Sequence, residues 1–141
     1  SPGACEHHLA GSYRRTSELL HDRGKRLVVH VGGPTERLLD PLAATGVDAI
    51  QGICGPPQSD ASLSEARRIV GPEVTLWGGI PQDALLDTYS PAQFEAAVAR
   101  ALEESAGDGR MILGVADRVP VDADVERLRT IPELVEQQAS E

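Results

Sequence analysis

The sequence predicts an α/β fold in which four parallel strands alternate with helices. Four glycines each end a helix-like stretch and precede a short apolar run, namely Gly24, Gly46, Gly71 and Gly107. The apolar runs are nearly continuous, which is typical of parallel strands that helices cover. Each run ends in a loop rich in glycine or proline. Because such loops collect ligands and catalytic residues in parallel β/α proteins, we expect the functional site there.

The four predicted strands cover residues 27–31, 47–50, 74–77 and 111–115. The loops that follow them have the sequences HVGGP, QGICGPP, WGGIPQD and GVADRVPVD. Four strands fit either a small open sheet or half of a (β/α)₈ barrel, since a closed barrel needs eight strands and about 250 residues.

Two helices are predicted in the first third of the chain. The first covers residues 6–23, where apolar side chains at helical spacing form one stripe, namely Leu9, Tyr13, Leu19 and Leu20. The second begins near Pro34, because proline suits the first helical position, and it ends at Gly46.

Three further helices are predicted from their terminal residues. The third opens at residues 62–65 with the spacing of a capping box and ends at Gly71. The fourth opens at residues 90–93, which combine an N-cap serine, a proline and a glutamine. The fifth covers residues 125–138, and we expect Pro132 to bend or interrupt it.

Composition predicts one domain over residues 1–141 and excludes some classes of partner. The net charge is −9, which argues against a nucleic-acid partner or an anionic membrane surface, since both need basic patches. The two cysteines, Cys5 and Cys54, are too few for a disulfide framework and favour a reducing cytoplasmic setting. We see no segment typical of a signal peptide or a membrane span. The chain begins without methionine, so we expect it to be a piece of a longer protein.

Four segments carry a resemblance to a known family: GKRLVVHVGG, LLDPLAATGVDAI, LWGGIPQDALL and MILGVADRVPVDADVERLRTI. In order and spacing they resemble the second half of the uroporphyrinogen decarboxylase superfamily. That superfamily includes the decarboxylase of haem biosynthesis and the corrinoid-dependent methyltransferases, and its fold is a (β/α)₈ barrel. The resemblance implies that the chain is the C-terminal half of such a barrel domain, with the first four strands absent.

The resemblance implies decarboxylation of a tetrapyrrole without a cofactor, in which a protonated pyrrole is the electron sink. An alternative is a methyltransferase of the same superfamily, which would use zinc and a corrinoid. A third alternative is a non-catalytic barrel fragment that needs its other half. We expect such a fragment to associate through its exposed half-barrel edges, or as a homodimer.

His30 ends the first predicted strand and is a candidate for acid–base catalysis, although a structural histidine is an equal alternative. In the methyltransferase branch the matching histidine binds zinc together with a cysteine two residues later. Gly32 occupies that second position here, and Ala116 and Asp117 lie where the branch often has another cysteine. We therefore predict no metal site, with His30 and Cys54 as the weaker candidates for one. If Cys54 binds no metal, it could be a reactive thiol, but a lone cysteine is more commonly a small buried apolar residue.

Asp117 and Arg118 follow the last predicted strand and are the other chemically informative pair. We predict a catalytic role for Asp117, and Arg118 could bind the carboxylates of a tetrapyrrole. Alternatively the two form an ion pair that braces their loop. The remaining predicted substrate contacts lie in the glycine-rich loops, where backbone N–H groups can approach a ligand: Gly32, Gly33, Gly78, Gly79 and Gln82.

Overall fold

The computed structural model of the protein describes residue 3 and residues 8–138, so Cys5 lies outside the described residues. Helices and strands alternate as predicted. Their order is α1 Ala10–His21, β1 Val28–His30, α2 Glu36–Ala43, β2 Ala49–Ile53, α3 Leu63–Val70, β3 Thr75–Ile80, a 3₁₀ helix Gln82–Leu85, α4 Pro91–Ser105, β4 Met111–Val115 and α5 Val125–Gln138.

The four strands form one parallel sheet in the order β1-β2-β3-β4. Each strand therefore pairs with the next one along the chain, and each connection contains a helix. Four consecutive βα units of this kind are an α/β fold with the layout of half a (β/α)₈ barrel. The predicted fold class is confirmed.

The core lies between the helices and the outer face of the sheet. Val29, Ile50 and Leu76 are partners in adjacent strands and are at most 7% exposed. Leu39 of α2 and Val98 of α4 are fully buried in the same cluster. Because aromatic residues are scarce, aliphatic side chains fill this core, and they let the helices pack closely on the sheet.

The inner face of the sheet carries exposed apolar side chains. Val28, Trp77 and Ile112 are 48%, 38% and 46% exposed, respectively. Trp77 and Ile112 lie in one row with His30 and Gln51, which are their partners across the sheet. In a closed barrel this face would be buried in the interior, whereas no described element of this chain covers it.

The N-termini of α3 and α4 lie where nearby residues in the sequence predict them, whereas the N-terminus of α2 does not. Ser62 and Ser90 each form the predicted capping box, with Glu65 and Gln93, respectively. The start of α2 differs from the prediction, because Thr35 is the N-cap and Pro34 lies outside the helix. There the Oδ1 atom of Asp60 accepts the N–H groups of Thr35 and Glu36 at 2.6 and 2.9 Å.

Two other expectations about helices need correction. Leu9 and Leu19 are 48% and 57% exposed, so the predicted apolar stripe of α1 is only partly buried. Helix α5 runs through Pro132 without interruption. None of the helices in the described part of the chain has the length and apolarity needed to cross a membrane.

Candidate functional site

His30 and Asp117 come together at the carboxyl ends of the strands. His30 is the last residue of β1, and Asp117 lies two residues beyond the end of β4. The Nε2 atom of His30 is 3.6 Å from the Oδ1 atom of Asp117. In a flat sheet the first and fourth strands would lie about 14 Å apart, because neighbours are spaced by about 4.8 Å. The contact therefore depends on a curled sheet and on the loop after β4 folding back across it.

Gln51 of β2 joins this pair to the backbone. Its Oε1 atom is hydrogen-bonded to Nδ1 of His30, and its Nε2 atom donates to the carbonyl oxygen of Ala116 at 2.5 Å. Gln51 was not among the residues that the sequence marked as candidates. A polar residue inside the apolar run AIQGI was the available signal, because alternate residues of a strand face opposite sides of the sheet.

A pocket of about 150 Å³ opens beside the His30 and Asp117 pair. Four strand ends contribute to it, and its lining residues are Gly32, Gly33, Gly52, Cys54, Gln58, Gln82, Ala116 and Asp117. The lining contains Gly32, Gly33, Cys54, Gln82 and Asp117, all of which the sequence marked as candidates. A larger cavity of about 760 Å³ lies on the outside of the sheet between α4 and α5, away from these groups.

Gln58 and Gln82 connect two of the loops around the pocket. The backbone N–H of Gln82 donates to Oε1 of Gln58 at 2.9 Å, and the N–H of Arg118 donates to Oε1 of Gln82 at 3.4 Å. The loops after β2, β3 and β4 are thereby held together by amide side chains. Gln58 was not predictable from the sequence, because its position relative to Gln82 depends on the tertiary fold.

Cys54 is buried at the base of the pocket with only 5% of its surface exposed. Burial raises the pKa of the thiol above its usual value, although hydrogen bonds from Ser59 act in the opposite direction. The thiol lies 3.6 Å from Oε1 of Gln58 and 3.7 Å from the carbonyl oxygen of Gly55, and either oxygen can accept a hydrogen bond from it. These surroundings favour a protonated apolar residue over a nucleophile or a metal ligand.

The ion pair between Asp117 and Arg118 that sequence analysis offered as an alternative does not form. Among the described residues Asp117 pairs with His30 instead, and the Arg118 guanidinium has no ion pair. Arg118 is exposed on the loop after β4. A role in substrate binding stays a prediction for this residue.

Gly78 and Gly79 lie inside β3 and do not line the pocket. A Cβ atom on Gly78 would be 2.2 Å from the carbonyl oxygen of Ile53. A Cβ atom on Gly79 would lie 3.0 to 3.2 Å from the side chains of Leu113, Ala101 and Leu63. Close packing around both positions explains why glycine is present there. The predicted contact of these glycines with substrate gains no support.

The side chains present do not fit a zinc site. In the described part of the chain no group of three or more His, Cys, Asp or Glu side chains could hold a metal ion. His30 and Asp117 supply two candidate ligands, whereas protein zinc sites use three or four. Cys54, the other weak candidate, has a thiol whose pKa is raised by burial, and zinc binds the thiolate.

Comparison with known proteins identifies the family. The family model described as Uroporphyrinogen decarboxylase (URO-D) matches residues 2–138. The chain belongs to this family. Among solved structures, a methyltransferase from Methanosarcina mazei has a TM-score of 0.75 and 16% sequence identity over 99% of this chain. No curated protein matches the chain.

The URO-D family chain spans 38% of the length of that methyltransferase structure. At this level of identity the similarity concerns the fold alone. Together with the four parallel strands it supports the half-barrel architecture, so the family resemblance of the loops and the fold class are both confirmed.

Proposed function

We propose that this chain contributes His30 and Asp117 as the proton-transfer pair of a URO-D family enzyme that decarboxylates a tetrapyrrole. The supporting observation is their contact of 3.6 Å beside the pocket at the carboxyl ends of the strands. The two side chains are 52% and 45% exposed, so a substrate can reach them. Such an exposed pair contributes about 1 kcal/mol or less to stability, which makes a chemical role the better explanation for the arrangement.

In the proposed reaction, protonated His30 donates the proton on Nε2 to a pyrrole ring carbon while Asp117 stabilises the imidazolium. The protonated ring is then an electron sink. The C–C bond to the substrate carboxylate breaks, its electron pair enters the ring, and CO₂ leaves. A second proton, taken from solvent, goes to the exocyclic carbon and the ring returns its own proton to His30, so one solvent proton is consumed per CO₂. No metal or organic cofactor enters this scheme.

The pocket is too small to enclose a whole tetrapyrrole. A volume of about 150 Å³ is below the roughly 300 Å³ at which pockets begin to enclose drug-sized ligands. One carboxylate arm would occupy it next to Gly32 and Gly33. The macrocycle would lie across the carboxyl ends of the strands, where the exposed Arg118 could bind another carboxylate.

Decarboxylation of uroporphyrinogen by the whole protein tests this proposal. We expect His30→Gln and Asp117→Asn to lower kcat/KM for CO₂ release, the former by about 10²- to 10⁴-fold, the usual contribution of general acid–base catalysis. Asp122→Asn is the matched control, because Asp122 is exposed on the same loop. Unchanged CO₂ release in both variants would contradict the proposal.

A second candidate is methyl transfer between a methylated substrate and a corrinoid or thiol cofactor. The methyltransferase among the structural neighbours is the reason to test it, whereas the described residues include no group of His, Cys, Asp or Glu side chains that could hold zinc. Metal analysis and corrinoid titration of the whole protein separate the two candidates. Stoichiometric zinc together with corrinoid binding would establish methyl transfer at the expense of decarboxylation.

A third proposal concerns the chain by itself: it is inactive and associates through its open sheet. The edge strands β1 and β4 each have one unpaired side, and the inner face is apolar. Trp77 is the single tryptophan, so its emission reports whether this face becomes covered. We expect light scattering of the isolated chain to show dimers or larger species. Addition of the missing barrel half should convert these species into a defined complex in which the Trp77 emission is blue-shifted. A stable folded monomer of the isolated chain would contradict the proposal.

A further inference from the structure

The carbonyl oxygen of Ala116 determines how the Gln51 side chain is oriented. A carbonyl oxygen only accepts hydrogen bonds, so the atom of Gln51 that lies 2.5 Å from it must be the amide nitrogen. Ala116 is 1% exposed, which keeps water from replacing Gln51 as its partner. The Oε1 atom of Gln51 is therefore the atom that faces His30.

An amide oxygen can only accept, and the ring nitrogen that it faces is Nδ1 of His30. Neutral imidazole carries one proton, and the hydrogen bond made by one ring nitrogen decides which nitrogen holds it. We propose that Gln51, oriented by the Ala116 carbonyl, fixes neutral His30 as the Nδ1–H tautomer and so leaves the lone pair of Nε2 facing Asp117. Gln51 is thus a positioning residue, and its effect on catalysis rests on the function proposed above for His30.

The rest of the geometry agrees with this assignment. With Nδ1 protonated, neutral His30 has no hydrogen to donate to Asp117, and the 3.6 Å separation is longer than a hydrogen bond. When Nε2 takes up a proton, it gains an N–H directed at a carboxylate. The Asp117 carboxylate therefore lies beside the position of that proton and makes no hydrogen bond to Nε2 in the neutral form.

The position of Gln51 makes it a rigid support. It lies in β2, which is paired with β1 on one side and β3 on the other, and Gln51 is the partner of both His30 and Trp77. Side chains on central strands hold a reacting group more accurately than side chains on loops. The loop after β4 contributes both Ala116, which is hydrogen-bonded to Gln51, and Asp117, which lies beside Nε2 of His30.

His21 provides an internal reference of the opposite tautomer. Its Nε2 atom is 2.8 Å from the Oδ2 atom of Asp48. Partial burial acts to raise the pKa of Asp48, but hydrogen bonds from Leu27, His21 and Arg26 outweigh it and hold the pKa below its usual range. The carboxylate is therefore ionised and can only accept, so His21 carries its proton on Nε2.

Nitrogen-15 NMR of the histidine rings in the whole protein tests the inference without any activity assay. At a pH where the rings are neutral, we expect His30 as the Nδ1–H tautomer and His21 as the Nε2–H tautomer. Gln51→Leu removes the acceptor and should change the tautomer ratio of His30 by about two- to tenfold toward Nε2–H. Gln51→Glu cannot donate to the Ala116 carbonyl oxygen, but its carboxylate still offers His30 an acceptor, so Nδ1–H should be retained. The His21 signals should stay unchanged in both variants, which verifies that they fold.

An Nε2–H tautomer of His30 in the native protein would overturn the inference, and this measurement needs no variant. An unchanged ratio in a folded Gln51→Leu protein would also overturn it. Failure of the proposed function is detected separately, because it appears as normal CO₂ release in His30→Gln. If both proposals are correct, Gln51→Leu lowers kcat/KM by up to about tenfold, which is the largest change expected in the tautomer ratio, and Gln51→Glu restores part of it.

Discussion

The Oδ2 atom of Asp48 accepts a hydrogen bond from the backbone N–H of Leu27 at 2.7 Å, which joins the start of β1 to the start of β2. The same carboxylate binds Nε2 of His21 and Nη1 of Arg26, each at 2.8 Å. One side chain therefore connects the end of α1 to two strands. It does so at the amino ends of the strands, opposite the candidate site, where stability and not catalysis is the expected role.

We expect Asp48→Asn to lower the free energy of unfolding of the whole protein by about 1–3 kcal/mol at pH 7, because hydrogen bonds to a charged group are lost. The folded-state pKa of Asp48 is lowered, so its contribution is present above the unfolded value of 3.8 and is lost as the pH falls through the folded value. Urea unfolding at pH 7 and pH 3 should show the gap to wild type shrinking at pH 3. Asp40→Asn, on the exposed side of α2, is the control and should have little effect at either pH.

Arg67 of α3 makes four hydrogen bonds that hold the β3 and β4 connections together. Its guanidinium donates to Asp108 at 2.8 Å and to the carbonyl oxygens of Gly71, Val74 and Arg110 at 2.6, 2.7 and 2.9 Å. Lysine keeps the charge but cannot reproduce this planar set of donors. We expect Arg67→Lys to lower the free energy of unfolding by about 2–4 kcal/mol. Arg68→Lys changes the exposed neighbour and should stay within about 0.5 kcal/mol of wild type, and equal effects would contradict the expectation.

The fold was predictable because its signals are local. Capping boxes at Ser62 and Ser90 and the glycines after the first four helices depend on residues a few positions apart, and the structure confirms them. The predicted start of α2 at Pro34 was wrong for the opposite reason. Asp60, 25 residues from Thr35 along the chain, supplies the side-chain hydrogen bonds at that terminus, and no local pattern contains it.

The predicted contact of Gly78 with substrate can be separated from the packing role that the structure gives it. An alanine Cβ there would lie 2.2 Å from the Ile53 carbonyl oxygen, and the φ of +151° is unfavourable for a side chain. We expect Gly78→Ala to lower the free energy of unfolding by about 2–4 kcal/mol. Gly109→Ala is the matched control, since a Cβ there meets no atom within 4 Å. A raised KM with unchanged stability would instead support substrate contact.

The candidate site was predictable residue by residue but not as an arrangement. Position at a strand end selected His30 and Asp117, and the structure places them 3.6 Å apart. Their pairing with each other was not predictable, because adjacency in the sequence suggested that Asp117 pairs with Arg118. The actual pairing depends on how far the sheet curls and how the loop after β4 folds back. The same three-dimensional information is needed to connect Gln51 with Ala116, 65 residues away.

Cys54 provides the last prediction, since its chemistry decides whether a thiol belongs to the site. Cys54 is only 5% exposed, and burial raises the pKa of its thiol. The reactive thiolate is therefore a small fraction of the thiol and is shielded from reagents. In a Cys5→Ser background, we expect iodoacetamide at pH 8 to modify the native protein at least about 100-fold more slowly than the urea-unfolded protein. Because the pKa is raised, the native rate should still be rising above pH 9, the ordinary value for the group. Modification at equal rates in the two states would mean an accessible thiolate, and Cys54 would return as a candidate nucleophile or metal ligand.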